Sequence, residues 1–201
     1  MAVMDEPDGW SRYNATQVDR EPRALVKSML GHAGDGHGRL AVDLGFGSGV
    51  ETEALLRRGW CVLAIDADPT AAELLTQRLS EENAARLSIL TSDFADIDAL
   101  SEVDLVHAAW SLPYAGDAFP QLWANLMSAL VPGGWIGCEL FGDRDTMSSH
   151  PRIAAHTEAE ARGLLEPLSV VEFDTIEQAD MSARGLQHRH VFSVVARRPI
   201  D

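Results

Sequence analysis

The stretch Leu40-Ala41-Val42-Asp43-Leu44-Gly45-Phe46-Gly47-Ser48-Gly49-Val50-Glu51-Thr52 decides the fold. An apolar run ends in an acid, three glycines follow at alternate positions, and a helical pattern begins. That order reads as a buried strand, a tight turn with its backbone exposed, and a helix N-terminus. Gly45, Gly47 and Gly49 remove side chains where a ligand would lie against the main chain. The helix that follows aims free N–H groups at that ligand. Glycine-rich turns also serve tight packing alone, and on this motif by itself both readings stand.

Two cofactor classes use such a turn, and local charge separates them. A dinucleotide site follows G-x-G-x-x-G and holds an anionic pyrophosphate. Here the third glycine comes one residue early, and Val50 fills a place that pattern keeps small. Asp43, two residues before the first glycine, would repel a pyrophosphate. It would attract a cationic ligand such as S-adenosylmethionine, which carries a sulfonium and an ammonium.

Outward from this turn the chain alternates strands and helices, which predicts a parallel α/β sheet. Strands are expected at 39–44, 60–65, 87–91, 104–109 and 135–141. Helices are expected at 21–30, 50–58, 69–79 and 119–130, with a short one at 94–100. Asp68 and Pro69 read as N-cap and first residue of the helix over 69–79. Thr157 with Glu160 makes a capping box for a helix to about 165. Strands 168–174 and 190–196 flank a segment without helical pattern, which predicts a hairpin and an antiparallel last strand. Its turn then lies at the carboxyl ends of the parallel strands, where open α/β sheets bind ligands. The expected architecture is a three-layer, Rossmann-like, seven-stranded sheet in one domain spanning 1–201, with 1–31 as an N-terminal cap.

Candidate site residues follow from the strand ends. Asp66 closes the second strand, where a carboxylate accepts both hydroxyls of a ribose; Asp68 competes for that role, and a capping role is equally open. Asp93 and Phe94 close the third, with an adenine contact and a cap-plus-core role as the two readings. Ala109 and Trp110 close the fourth, and Trp110 with Tyr114 shapes a pocket or packs as core. His107, inside that strand, reads as a core histidine. His188 and His190 lie at the expected active edge one strand period apart, as candidate proton acceptors, with Asp143, Arg144 and Asp145 beside them. No third ligand has metal-binding spacing.

The glycine turn, Asp66, the Asp93-Phe94 pair and Pro132-Gly133-Gly134-Trp135 occur in an order that resembles class I S-adenosylmethionine-dependent methyltransferases over residues 40–141. That resemblance implies Asp43, Gly45, Phe46, Gly47, Gly49, Asp66, Ala67, Asp93, Phe94, Ala109 and Trp110 as cofactor contacts. Phe46 departs from the family's smaller residues. Gly9-Trp10-Ser11-Arg12-Tyr13-Asn14-Ala15-Thr16 and the run 188–198 resemble, more narrowly, small bacterial methyltransferases of the tellurite-resistance type. This implies that Tyr13 and one of Arg20 or Arg23 cover the cofactor, the arginine on its carboxylate.

Composition bounds the rest. The 201 residues suffice for one sizeable core. The formal charge of −15 opposes nucleic acid and anionic membrane at long range, although Arg184, Arg189, Arg197 and Arg198 could form a local basic patch. No apolar run approaches the roughly 20 residues of a membrane span. The acidic N-terminus resembles neither a secretory signal nor a transit peptide. Cys61 and Cys138 read as buried free thiols of a reducing cytoplasm. The expectation is a cytoplasmic methyltransferase using S-adenosyl-L-methionine on a small-molecule substrate, with no metal and no nucleic-acid or membrane partner. A nicotinamide-dependent oxidoreductase and a non-catalytic adenosyl-binding module are the alternatives. Oligomeric state is left open.

Overall fold

Period-two alternation builds the central strand of the computed structural model. In β1 (Leu40–Leu44), Ala41 joins the apolar cluster on one face while Val42 and Leu44 join that on the other. The structure describes residues 8–182 and 185–200; residues 1–7 of the expected cap, and Arg184 of the expected basic patch, lie outside them. Further strands are β2 (Cys61–Asp66), β3 (Leu87–Thr91), β4 (Val103–Ala108), β5 (Leu130–Gly142), β6 (Ala155–His156), β7 (Ser169–Ser182) and β8 (Gly185–Arg197). They form one sheet in the order β3-β2-β1-β4-β5-β8-β7, with β6 paired to β5.

The first five strands are parallel, and β8 runs antiparallel to both β5 and β7. The antiparallel last strand is as the sequence predicts; the two-residue β6 is an eighth strand too short to leave a periodic signal. The strand order reverses between β1 and β4, which opens a crevice at their carboxyl ends.

Among the described residues seven helices cover the sheet: α1 (Gly9–Ala15), α2 (Ala24–Ala33), α3 (Val50–Arg57), α4 (Ala71–Thr76), α5 (Glu81–Ala84), α6 (Phe119–Ala129) and α7 (Glu158–Leu164). Leu25 and Met29 of α2, Leu55 of α3 and Leu75 of α4 pack on one face against Ala41, Val62 and Leu105. Leu122 and Leu126 of α6 and Ala161 of α7 pack on the other against Val42, Val106 and Ile136. Thr157 and Glu160 form the expected capping box on α7, with Thr157 N–H donating to Glu160 Oε2 at 2.8 Å.

Several elements differ from expectation. The helix expected over 69–79 is regular only at α4, and the one at 94–100 is a single 3-10 turn, Phe94–Asp96. β5 starts at Leu130, before the Pro132-Gly133-Gly134 turn, because a bulge against β4 between Val103 and Leu105 absorbs those residues. The β5–β8 ladder ends at the pair Phe141 and Val191, but β7 and β8 stay paired out to Ser182 and Gly185. The hairpin therefore projects as an arm past the carboxyl edge of the sheet.

Candidate active site

The ends of β1, β2, β3 and β4 converge on one cavity, roofed by α1 and flanked by the hairpin arm. Gly45 and Gly47 line it with φ of 68° and 53°. A Cβ on Gly45 would sit 2.4 Å from Ser111 Cβ, and one on Gly47 2.9 Å from Asn14 Oδ1. Neither position admits a side chain. Phe46 between them lines the cavity and is otherwise buried in the core.

Asp66 braces this turn. Its Oδ2 accepts from Gly47 N–H and its Oδ1 from Asp68 N–H, each at 2.8 Å. Burial pushes its carboxyl up, and these two bonds offset that only in part. Ala67, Asp93, Phe94, Ala109 and Trp110 complete the wall at the strand ends. Asp93 also caps its 3-10 turn, accepting from Ala95 N–H at 2.9 Å, so cap and wall positions coincide. Gly49 is different. It lies outside the wall, with φ of 79°, and a Cβ there would meet Leu75 Cβ at 2.9 Å. The third glycine turns the chain into α3 and lets α4 approach, which corrects its assignment as a cofactor contact.

The roof is held by Asp68. Its carboxylate accepts from Ser11 Oγ at 2.8 Å and Asn14 Nδ2 at 2.9 Å, as well as from Thr70. Asp68 thus anchors α1 as well as capping the turn into α4. Trp10, Tyr13, Asn14 and Gln17 reach the wall from this segment. Arg20 commits its guanidinium to both oxygens of Glu51. Burial would push the Glu51 carboxyl up, but Arg20 and its other partners outweigh it and the net shift is down. Arg23 also lines the cavity, its guanidinium 3.4 Å from Tyr13 Oη. Of the two arginines, Arg23 is the one whose guanidinium is not spent on an acid among the described residues.

Beneath the cavity lies a buried charge layer. Asp43 and His107 are register partners on β1 and β4, and Asp43 Oδ1 lies 2.8 Å from His107 Nδ1. Asp43 Oδ2 accepts from Thr52 Oγ1 at 2.6 Å. Both carboxylate oxygens are therefore engaged by the protein itself, so Asp43 touches the cavity as half of an ion pair rather than as a free anion. Burial would push the His107 imidazole down; Asp43, with Glu51 and Glu139 behind it, reverses that, and the net shift is up. His107 Nε2 has no partner among the described residues.

Glu139 on β5 is 5% exposed and accepts from Trp110 N–H, while its Oε2 is unpartnered among the described residues. Burial pushes this carboxyl up to about 7, against the pull of His107 and Arg23. Its folded value lies above the ordinary 4.5, so the folded chain holds a proton that the unfolded chain releases. Stability is greatest below that ordinary value and falls as pH rises to about 7. Glu139→Gln should remove this fall. In calorimetric melts it should gain several degrees over wild type at about pH 8 and roughly none at about pH 4.

At the far end, Trp10, Trp110, Tyr114, Met147, Gln187 and Arg189 close the wall. His188 and His190 lie outside it. Along β8, positions 187 and 189 face the cavity, so strand alternation turns 188 and 190 away. His188 Nε2 lies 3.1 Å from Glu177. His190 is buried, its N–H donating to Asp145 Oδ2 at 3.0 Å and its Nδ1 accepting from Arg144 N–H at 3.2 Å. The expectation that the two histidines take a proton in the pocket is corrected by this placement. Asp143, Arg144 and Asp145 lie outside the wall too. Arg144 pairs with Glu177 at 2.8 Å, holding that carboxyl down at about 2. Asp145 caps the 3-10 turn Thr146–Ser149 that carries Met147 to the wall. Among the described residues no cluster of His, Cys, Asp or Glu could hold a metal.

An open α/β sheet with a glycine turn and acids at the next two strand ends defines a nucleoside-binding crevice. Residues 41–134 match the family model for a methyltransferase domain. The chain thus contains a segment similar to methyltransferase domains. It is 32% identical over 148 residues to ribosomal RNA small subunit methyltransferase A of Sphingopyxis alaskensis, covering 72% of this chain and 52% of that protein. It is 36% identical over 136 residues to magnesium-protoporphyrin O-methyltransferase of Rhodobacter capsulatus, covering 65% and 59%. The chain thus spans between half and three fifths of the length of these curated relatives.

Among solved structures, TehB from Haemophilus influenzae shares the fold at TM-score 0.76 and 16% identity, over 95% of this chain and 66% of that one. The 1,6-didemethyltoxoflavin-N1-methyltransferase of Burkholderia thailandensis, crystallised with 1,6-didemethyltoxoflavin and S-adenosylhomocysteine, does so at 0.70 and 21%, over 98% and 87%. At these identities the likeness is one of fold. The ribosomal RNA relative corrects the expectation of a small-molecule partner and no nucleic acid. A net charge of −15 sets the far field of the whole chain and leaves the acceptor's class open. Among the described residues no helix is long and apolar enough to cross a membrane.

Proposed function

We propose that this cavity binds S-adenosylmethionine and that the chain catalyses transfer of its methyl group. One observation carries the reading: Gly45, Gly47, Asp66, Asp93, Phe94 and Ala109, drawn from four strand ends, line a single crevice. The residues fit the cofactor. Asp66 keeps acceptor capacity for ribose hydroxyls after its two N–H bonds. Asp93 and Phe94 offer an acceptor and a ring for the base, and Arg23 a cation for the carboxylate. The unpartnered Nε2 of His107 supplies a buried donor for the same end.

When bound, S-adenosylmethionine supplies a methyl group activated on a sulfonium. The chain's own work is alignment and exclusion of water. The roof formed by α1, pinned through Asp68, closes one side, and the aromatic end of the wall presents the acceptor. No dedicated base is required of an acceptor already anionic or unprotonated at neutral pH. The finer reading, a small-molecule acceptor, draws support from the confined aromatic end around Trp110 and Tyr114. A ribosomal RNA base is the second reading, favoured by the relative that methylates the small subunit. Cys61 and Cys138, both free thiols, support a reducing cytoplasmic setting.

The test is a thermal-shift and calorimetric titration with S-adenosylhomocysteine and with NADH. At a ligand concentration 100 times the Kd, S-adenosylhomocysteine should stabilise the fold by about 2.7 kcal/mol, and NADH by nothing measurable. Stabilisation by NADH alone would overturn the reading. Labelled S-adenosylmethionine offered to ribosomal subunits and to a metabolite extract then separates the two acceptor classes.

A further inference from the structure

Resting on that reading of the cofactor end, the geometry points to an acceptor that is a planar conjugated anion, its ring on Trp110 and its charge on Arg189. Three observations converge. Trp110 has a φ of 56°, a region that costs a bulky residue strain and persists only where its surroundings enforce it. Phe141 meets the indole edge-on at 5.8 Å, and the buried Glu139 lies beside the Trp110 backbone N–H. The fold therefore holds this ring at one angle in the wall of the cavity.

Arg189 supplies the second. It sits in β8 just beyond the last pair with β5, on the projecting arm, and faces the cavity. Its Cζ lies 5.5 Å from the Trp110 ring centroid. The chain carries 31 acids against 16 basic residues, yet Arg189 meets no carboxylate among the described residues. Other cations here behave otherwise: Arg144, in the loop after β5, and His188 on the arm both pair with Glu177. A guanidinium that meets no acid among the described residues of an acidic protein, at the rim of an aromatic wall, is placed for an incoming anion.

The third is parity. Gln187 precedes Arg189 on the same face of the strand and also lines the cavity, so the arm presents an amide and a cation together. At 5.5 Å a ring does not fit between guanidinium and indole. The acceptor's ring lies on the free indole surface, with its charged substituent reaching Arg189. An anionic substituent conjugated to the nucleophile raises its electron density, which suits a site whose wall holds neither His188 nor His190.

The experiment uses the chain saturated with S-adenosylhomocysteine and titrates 2-naphthoate and 2-naphthamide, which match in shape and differ in charge. The acid should bind about tenfold tighter or more, the scale of one charge-assisted bond. Arg189→Met should bring the two within about twofold of each other while leaving S-adenosylhomocysteine affinity unchanged, which reports an intact fold. Trp110→Leu should weaken both naphthyl ligands. Equal affinity for acid and amide, or no measurable binding of either to the loaded protein, overturns the proposal. So does displacement of naphthoate by a short single-stranded RNA that then accepts the methyl group. Failure of S-adenosylhomocysteine itself to bind would instead remove the methyltransferase reading beneath it.

Discussion

His107→Leu should cost about 3–5 kcal/mol in urea unfolding, the range for removing one partner of a buried ion pair. Asp43 is 1% exposed and would be left with Thr52 alone as partner. The apolar replacement fills the volume, so the loss measures uncompensated charge rather than a cavity. A double variant, Asp43→Asn with His107→Leu, should recover a large part of it, because a neutral amide still accepts from Thr52 and leaves no buried anion. The pair also carries a pH signature. The folded imidazole lies above its ordinary 6.5, so its contribution is complete below that value and is lost as pH rises through the folded one. Wild type should lose stability on the alkaline side relative to His107→Leu, whose deficit narrows there. A deficit that is flat with pH would mean the histidine is neutral in the fold.

The frame of the fold was legible because its signals are local and repeated. β1, the glycine turn and α3 announce themselves in 13 consecutive residues, and the ends of β2 and β3 repeat an apolar run closed by a polar residue. Signals failed where tertiary contacts reassign a residue. Asp68 reads as a helix cap, but Ser11 and Asn14, over fifty positions earlier, draw on the same carboxylate. Gly49 shares the spacing of its neighbours, and only the approach of Leu75 shows that it packs rather than binds.

The hairpin illustrates a sharper limit. Length and composition placed it at the right edge of the sheet. Facing, however, depends on register, and a slip of one residue exchanges every side chain between faces. The sequence offered His188 and His190; the register puts Gln187 and Arg189 in the wall instead. A strand with polar residues at both parities, as in Gln187-His188-Arg189-His190, carries no apolar alternation to fix that choice. The roof suffered similarly: Trp10 and Asn14 lie on a seven-residue helix too short for a periodic signal, Gln17 sits just past its end, and Met147 arrives on a 3-10 turn with none. Glu51 and Ser111 were findable, since each neighbours a motif already read.

Asp66→Ala should weaken S-adenosylhomocysteine binding by about 1.5–3 kcal/mol, roughly 10- to 150-fold, the range for hydrogen bonds to a charged group. The structure adds a second route to the same loss. Asp66 also accepts from the N–H groups of Gly47 and Asp68, so its removal loosens the glycine turn and the loop that anchors α1. Asp66→Asn separates the two routes. An amide oxygen still accepts one of those N–H bonds, while the charge and one acceptor are gone, so its affinity should fall between wild type and alanine. Calorimetry with S-adenosylhomocysteine measures the loss. Repeating it with 5′-deoxy-5′-methylthioadenosine, which keeps the ribose and lacks the amino-acid end, should give the same ratio between wild type and variant. A ratio that collapses with the shorter ligand would place Asp66 at the amino-acid end of the crevice. Unchanged affinity for both would take Asp66 out of the ligand's reach and leave it as a brace for the turn alone.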